Sequence, residues 1–343
     1  MDYKSTGVDI DAGNEVVSRI RELARGTFTP GVLSDIGSFG GLFRPDLSAI
    51  ADPVLVSSAD GVGTKLKVAF LAGRHDTVGV DLVNHCVNDI LVQGAKPLFF
   101  MDYLATGKLS PEVTAEVMAG LATACSDNGC ALLGGETAEM PGFYADGEYD
   151  LAGFVVGLVD RDRLVDGSQI EPGDSLIGLS SNGLHTNGYS LARHIVFDSL
   201  GLSADATVEE LDGSVGDILL RPHRSYLGLL GPVLADTTGA VKGLAHITGG
   251  GLTDNLPRVL PSGMAAEISR AVWTPPAIFR FLQDRGALTN SEAFRAFNMG
   301  IGMVAICGPN ETAGLLSRFE QAGEQGAVVI GRVVSGDGQV IYS

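Results

Sequence analysis

The chain has 343 residues, 45% of them hydrophobic, with 47 glycines and a formal net charge of −18. That length exceeds one core of ordinary size, so two domains are expected, and the glycine content implies a folded protein with many tight turns. The acidic balance, with no basic run, excludes a nucleic-acid-binding surface; apolar runs that are short and interrupted exclude a membrane span.

Four cysteines, Cys86, Cys125, Cys130 and Cys307, form no C-x-x-C pair. The start Met1-Asp2-Tyr3-Lys4 lacks an apolar signal region. Together these read as reduced thiols in a cytoplasmic protein. A polyphosphate ligand needs metal ions or local cations to offset the acid.

Residues 11–25 read as a helix, with Val16, Val17, Ile20, Leu23 and Ala24 on one stripe. A turn-rich stretch ends in Asp35-Ile36-Gly37-Ser38-Phe39-Gly40-Gly41-Leu42-Phe43. Its amides can fold over a phosphate or form a flexible turn. A strand over residues 53–58 delivers Asp60 to the turn Asp60-Gly61-Val62-Gly63-Thr64-Lys65, and residues 65–71 open a helix. A carboxylate exposed there suits Mg²⁺, which prefers oxygen ligands and bridges phosphates. An ordinary Asx turn is the bland alternative, and the spacing is not that of the nucleotide P-loop.

Residues 77–80 are a short strand candidate. A helix follows over 82–93, with Val83, Val87, Ile90 and Leu91 toward a core and Asp81, His85, Asn88 and Asp89 opposite. Such an acidic face is ordinarily solvated. A strand over 97–103 ends near Asp102, where burying a carboxylate without a partner is costly. A helix over 111–127 and a strand over 131–133 lead to Gly134-Gly135-Glu136-Thr137-Ala138-Glu139. Its two carboxylates share a metal or serve, with Thr137, as a cap. A strand over 151–159 closes the unit.

Asp166-Gly167-Ser168 and Pro172-Gly173-Asp174 are turn signals. They place a boundary near residues 161–174 and divide the chain into domains 1–166 and 167–343. In the second, strands over 175–179, 242–247, 264–269, 301–307 and 327–334 combine with helices from Tyr189 and over 214–234, 275–285 and 310–323. The polar loop holding Ser181, Asn182, His185, Thr186 and Asn187 precedes a helix, whose amides favour anions. His246-Ile247-Thr248-Gly249-Gly250-Gly251 is a second phosphate cradle or a helix entry capped by Thr248. Asn298-Met299-Gly300-Ile301-Gly302 borders a cleft or relieves crowding in a sheet. His223, beside Pro222 at a helix start, is a weaker candidate.

Taken in order, several segments resemble the phosphoribosylformylglycinamidine cyclo-ligase (aminoimidazole ribonucleotide synthetase) family. They are Gly7-Val8-Asp9-Ile10-Asp11-Ala12-Gly13-Asn14, the Asp60 to Lys65 turn, Cys86-Val87-Asn88-Asp89 and Phe100-Met101-Asp102-Tyr103-Leu104-Ala105-Thr106-Gly107-Lys108-Leu109. The Gly134 to Gly142 stretch and the His246 to Gly251 stretch complete the set. The resemblance implies an α/β (α+β type) two-domain fold with mixed sheets and packed helices, and a homodimer built through the N-terminal domains. It implies an ATP-dependent ligase of purine biosynthesis that closes the imidazole ring of formylglycinamidine ribonucleotide. The products are aminoimidazole ribonucleotide, ADP and phosphate. Mg²⁺ is implied, with K⁺ a candidate further activator.

By the same carry-over, Asp60, Asp81, Asp89 and Glu136 form the metal–phosphate region. Gly37, Ser38, Phe39, Gly40 and Gly41 cover ATP; many relatives carry glycine where this chain has Ser38, which leaves the pose of that loop open. Gly61, Gly63, Thr64, Lys65, Asp102, Gly135, Thr137 and Glu139 complete the nucleotide side, with Lys65 neutralising phosphate. Thr186, Asn187, His246, Thr248, Gly249 and Gly250 contact substrate. Asp60, Lys65, His185 and His246 are the catalytic candidates, either histidine moving a proton. Other ATP-using members of the superfamily, such as selenophosphate synthetase, thiamine-monophosphate kinase and a hydrogenase-maturation protein, are the enzymatic alternatives. A noncatalytic nucleotide-binding protein is the alternative from another class. No cysteine lies near the N-terminal glycine loop, which disfavours the selenium chemistry.

Overall fold

The structure, a computed structural model, describes residues 10–236 and 239–343; Met1-Asp2-Tyr3-Lys4 and Gly7-Val8-Asp9 lie outside the described residues. The chain divides into two compact units: described residues up to 90 with 95–161, and 91–94 with 162–343.

The first unit holds α1 (Ile10–Gly26), β1 (Pro53–Gly61), α2 (Lys65–Ala72), α3 (Asp76–Leu91), β2 (Lys96–Thr106), α4 (Pro111–Asp127), β3 (Ala131–Glu139) and β4 (Tyr149–Asp160). Its sheet runs β1-β4-β2-β3. β4 is antiparallel to β1 and β2, whereas β3 is parallel to β2. Side-chain alternation sorts the faces. Val56, Phe100, Leu104, Leu151 and Val155 are buried on the face where Leu82 and Ile90 of α3 lie over Gly153 and Gly157. On the other face Leu55, Met101 and Phe154 are exposed.

α4 starts where its cap dictates. The Ser110 side chain accepts from Val113 N, and Pro111 occupies the first turn, where its missing N–H is harmless. Residues 77–80, expected as a strand, form the first turn of α3. The run was too short for its period to distinguish helix from strand. Helical packing is enforced at Gly79 and Gly120, where an added Cβ would strike the backbone of the facing helix. The units part at 161/162, a few residues before the expected 166/167. Arg161 N bonds Asp52 O at 2.9 Å and so continues the first unit, whereas Val165 N bonds Gln93 O at 3.2 Å within the second.

The second unit begins with β5 (Ser175–Ser180) and α5 (Tyr189–Arg193), which runs into a π-helical turn (His194–Ser199). Next come α6 (Val215–Leu219), α7 (Leu227–Ala235), β6 (Val241–His246), α8 (Gly251–Asn255) and β7 (Met264–Ile268). The unit ends with α9 (Ala277–Arg285), α10 (Asn290–Ala296), β8 (Ile301–Cys307), α11 (Thr312–Gln321), β9 (Val328–Ser335) and β10 (Val340–Tyr342). The sheet order is β10-β7-β9-β5-β8-β6. Only β10 and β7 pair in parallel among its described strands. β8 is buried along its whole length, flanked by β5 and β6. Ile177, Leu244, Met303 and Ala305 from these strands pack with Tyr226, Leu230, Leu315 and Phe319. The single helix expected over 214–234 is two helices, because Pro222 has no amide to continue one and its carbonyl accepts from Asn182 Nδ2 at 2.8 Å. No described helix is long and apolar enough to cross a membrane.

Candidate functional site

In the first unit, cross-strand register aligns Asp60 with Gly153, Gly153 with Asp102, and Asp102 with Gly135. These four positions form one row on the α3-covered face. With strands about 4.8 Å apart, the Asp60 and Asp102 backbones lie about 10 Å from one another. Asp60, expected in a turn after the strand, is inside β1. Its Oδ1 accepts from Gly61 N at 2.7 Å, and its Oδ2 lies 2.9 Å from His85 Nε2. Asp89 Oδ2 sits 3.8 Å from the same nitrogen and accepts from Ser58 Oγ at 3.1 Å.

One buried imidazole therefore holds two half-exposed carboxylates. Burial works against the His85 cation, but the bond to Asp60 and the charges of Asp89, Asp60 and Asp81 prevail and raise its pKa. Burial likewise opposes ionisation of Asp60, and the His85 bond overrides it, keeping that carboxyl below its ordinary range.

Lys65 and Asp81 occupy a different environment. Lys65 Nζ donates to Asp81 Oδ1 at 2.7 Å, and both side chains are fully buried. Burial lowers the Lys65 pKa against the pull of Asp81. Lys65, expected beside phosphate, and Asp81, expected at the metal, here form an internal ion pair that ties the start of α2 to α3. Glu136 follows Gly135 in β3 and so faces the opposite side, in register with Tyr103 and exposed. The acidic quartet thus separates into Asp60 with Asp89, Asp81 with Lys65, and Glu136 on the other face. Glu139 Oε1 accepts from Leu109 N at 2.8 Å, which secures the loop before α4. Thr137, in β3, is half-buried, while Gly63 and Thr64 are exposed at the turn.

The double glycine, expected in a turn, also lies within β3. Asp102 covers Gly135 so closely that a Cβ there would collide with its carboxylate. Asp102 is 5% exposed, and burial pushes its carboxyl up to about 7 while its own backbone N–H pulls the other way. From the ordinary carboxyl range up to about 7, the folded chain holds a proton that the unfolded chain has released. Stability therefore falls as pH rises through that window. Asp102→Asn is expected to stabilise the metal-free protein at pH 8 by on the order of 3 kcal/mol and to do progressively less as the pH drops toward 5. Urea unfolding at the two pH values checks this; an equal effect at both would contradict it.

Residues 37–41 are the tip of a loop closed by the Val32–Phe43 bridge and by Leu33 N bonding Leu42 O at 2.8 Å. Gly37 takes a φ of 107°, open to glycine, and Ser38, Phe39, Gly40 and Gly41 are exposed.

In the second unit, three of the chain's six histidines meet. His223 stacks on His185 with ring centroids 4.1 Å apart and planes 23° off parallel. Its Nε2 lies 2.9 Å from His246 Nε2, and its Nδ1 lies 3.2 Å from Thr186 Oγ1. All three rings are buried. His185 has a φ of 61°, a conformation costing a non-glycine residue about 1–3 kcal/mol. Asn298 holds that loop: its Oδ1 accepts from Ser181 Oγ at 2.9 Å, and its Nδ2 donates to Gly183 O at 2.9 Å.

Beside them, Asn255 Nδ2 donates to the carbonyls of Thr248, Gly249 and Gly251 at 3.3, 3.1 and 2.9 Å. Thr248 Oγ1 turns to Asn255 Oδ1 at 3.3 Å, a local role rather than an outward one. Asn187 lies against Gly249, with its Oδ1 3.3 Å from where a Cβ would stand, and Gly250 precedes α8 in the left-handed region. Thr186, Asn187, His246, Gly249 and Gly250 therefore gather at the ends of β5 and β6. His223, a weaker candidate in the sequence, and Asn255, which did not stand out there, complete the group. The only signal for His223 was Pro222; Asn255 was one of three polar residues between Leu252 and Leu256.

The AIR synthase related protein N-terminal domain family matches residues 46–159, and its C-terminal domain family matches residues 171–343. Solved structures share the fold. Thiamine-monophosphate kinase from Stenotrophomonas maltophilia superposes with a TM-score of 0.69 at 18% identity over 96% of each chain. Hydrogenase maturation protein HypE in complex with ATP gives 0.65 at 18% identity, covering 96% of this chain and 90% of that one. Sequence likeness is far greater elsewhere. The phosphoribosylformylglycinamidine cyclo-ligase of Geobacter metallireducens is 56% identical over 331 residues, 96% of this chain and 94% of its own. That of Trichlorobacter lovleyi is 54% identical over 333 residues, 97% and 95% of the two chains. With both domains matched and more than half the residues shared from end to end, the chain belongs to the phosphoribosylformylglycinamidine cyclo-ligase family.

Proposed function

We propose that this chain uses ATP to close the imidazole ring of formylglycinamidine ribonucleotide, releasing aminoimidazole ribonucleotide, ADP and phosphate in purine biosynthesis. The observation that carries this reading is its identity of more than half to cyclo-ligases over nearly the whole chain. The formyl oxygen attacks the γ-phosphorus, and the bond from that phosphorus to the β-phosphate oxygen breaks. The amidine-side nitrogen then attacks the activated carbon, and phosphate departs with the former formyl oxygen. The nitrogen's proton passes to a base, for which His246 is our choice. The protein's part is alignment and charge placement.

The residues present fit Mg²⁺ at Asp60 and Asp89. Both offer hard oxygen donors, both remain partly open, and His85 fixes their orientation. When bound, the ion draws charge from the triphosphate oxygens. Asp81 does not fit, being sealed against Lys65. Glu136, on the sheet face away from Asp60 and Asp89, takes no part at that ion, and residues 37–41 would cover the nucleotide. Thr186, Asn187, Gly249 and Gly250 would take the substrate, and K⁺ remains a candidate activator. On the open face, Ala59, Phe154 and Met101 stand in register. An apolar row of this kind supports burial against a second copy of the chain. The four buried thiols support a reducing, cytoplasmic setting.

Turnover of the purified protein with ATP, Mg²⁺ and formylglycinamidine ribonucleotide tests the reading. Aminoimidazole ribonucleotide is expected in equal amount to ADP. ADP formed without the imidazole would point to another ATP-dependent reaction.

A further inference from the structure

We infer that Asn298 is a positioning residue: it clamps the loop from Ser181 to Gly188 so that Thr186 and Asn187 are held in place for the substrate. This rests on the reading that those two residues contact formylglycinamidine ribonucleotide. The loop has two parts. Ser181, Gly183, Leu184 and His185 are buried, whereas Thr186 and Asn187 are half-buried. The buried part carries backbone and hydroxyl groups that water cannot reach, and these need fixed partners. Asn298, itself 3% exposed, supplies them from the segment leading into β8.

Its amide is matched at both ends. Oδ1 accepts from Gly300 N at 2.8 Å and from Ser181 Oγ at 2.9 Å, while Nδ2 donates to Gly183 O at 2.9 Å. Gly300 N can only donate and Gly183 O can only accept. One neighbour therefore demands an oxygen and the other an N–H, and asparagine meets both from one planar group. A carboxylate meets the first and repels the second; an apolar side chain meets neither. The backbone reinforces the join, since Ser181 N donates to Gly300 O at 2.9 Å.

The far end of the loop rests on the same segment. Gly188 has a φ of 77°, and a Cβ there would lie 2.5 Å from Phe297 Cδ1. Phe297 and Asn298 thus hold both ends of the stretch that presents Thr186 and Asn187. The clamp also carries strain. Of the three described non-glycine residues with positive φ, His185 lies in the loop and Met299 follows Asn298. Such conformations persist only where surrounding contacts fix them, and they gather at ligand-holding sites. Trp273 Nε1 fixes Met299 by donating to its carbonyl at 3.0 Å, and Asn298 fixes the turn that leads to His185.

The test is steady-state turnover of the full chain with each substrate varied in turn. Asn298→Asp replaces only the N–H that faces Gly183 O. It is expected to raise KM for formylglycinamidine ribonucleotide by about 30-fold, with KM for ATP within about twofold and kcat within about threefold, because contacts made equally before and during reaction move KM alone. Ser181→Ala removes one bond to the clamp and is expected to raise the same KM by about threefold. A merely structural role would shrink the folded fraction, lowering apparent kcat and leaving both KM values in place. If Asn298→Asp does not fold, Ser181→Ala decides the question. An unmoved KM for formylglycinamidine ribonucleotide, or a KM for ATP that rises in step with it, would overturn the inference. The unaltered chain's turnover separates the two readings. No imidazole product means the cyclo-ligase assignment fails; normal product, with variants whose KM values are unmoved, means only the clamp fails.

Discussion

Lys65→Ala is expected to lower the free energy of unfolding by about 3–5 kcal/mol, because it strands a charge inside the protein. Lys65 and Asp81 are fully enclosed and 2.7 Å apart. Without the ammonium, the Asp81 carboxylate must be ionised without its partner or protonated at a cost. The pair also ties the start of α2, which follows β1 and its Asp60, to α3, the helix that carries His85 and Asp89. Replacing both partners together, with Lys65→Met and Asp81→Leu, removes both charges and should recover most of the loss. Urea unfolding of the single and paired variants checks this. If Lys65→Ala costs less than about 1 kcal/mol, the ammonium is not enclosed in solution and its expected role beside phosphate returns.

Asp60→Asn is expected to lower kcat/KM for ATP at limiting Mg²⁺ by about 100-fold, the equivalent of several kcal/mol of lost charge stabilisation. Stability should change by less than about 1 kcal/mol, as befits a partly exposed ion pair. Asparagine preserves the acceptor for Gly61 N but removes the charge that both His85 and a bound cation require. Raising Mg²⁺ should restore part of the rate. An unchanged rate at limiting Mg²⁺ would remove Asp60 from the metal site.

The sequence carried much of the fold because local signals were strong. Ser110 and Pro111 marked the start of α4, and the apolar runs of β5, β8 and β9 stood between clear turns. It misplaced the acidic segments because glycine reads as a turn. In β1 and β3 the strand continues through Gly61 and Gly135. At Gly135 the missing side chain makes room for Asp102 rather than reversing the backbone.

The pairing of Lys65 with Asp81 was hidden because charged side chains are ordinarily expected outside, and two helices must meet to join them. The histidine group was hidden for a related reason. His185, His223 and His246 come from three separate segments, and nothing in the spacing brings His223 between the other two. The sheet register, invisible in a single sequence, is also what sends Glu136 to the face away from Asp60.

The most direct test of ring closure by phosphoryl activation follows the formyl oxygen. Substrate carrying oxygen-18 at that position, turned over with ATP and Mg²⁺, should deliver its label into inorganic phosphate in step with aminoimidazole ribonucleotide. Label released to water, with unlabelled phosphate, would contradict the account.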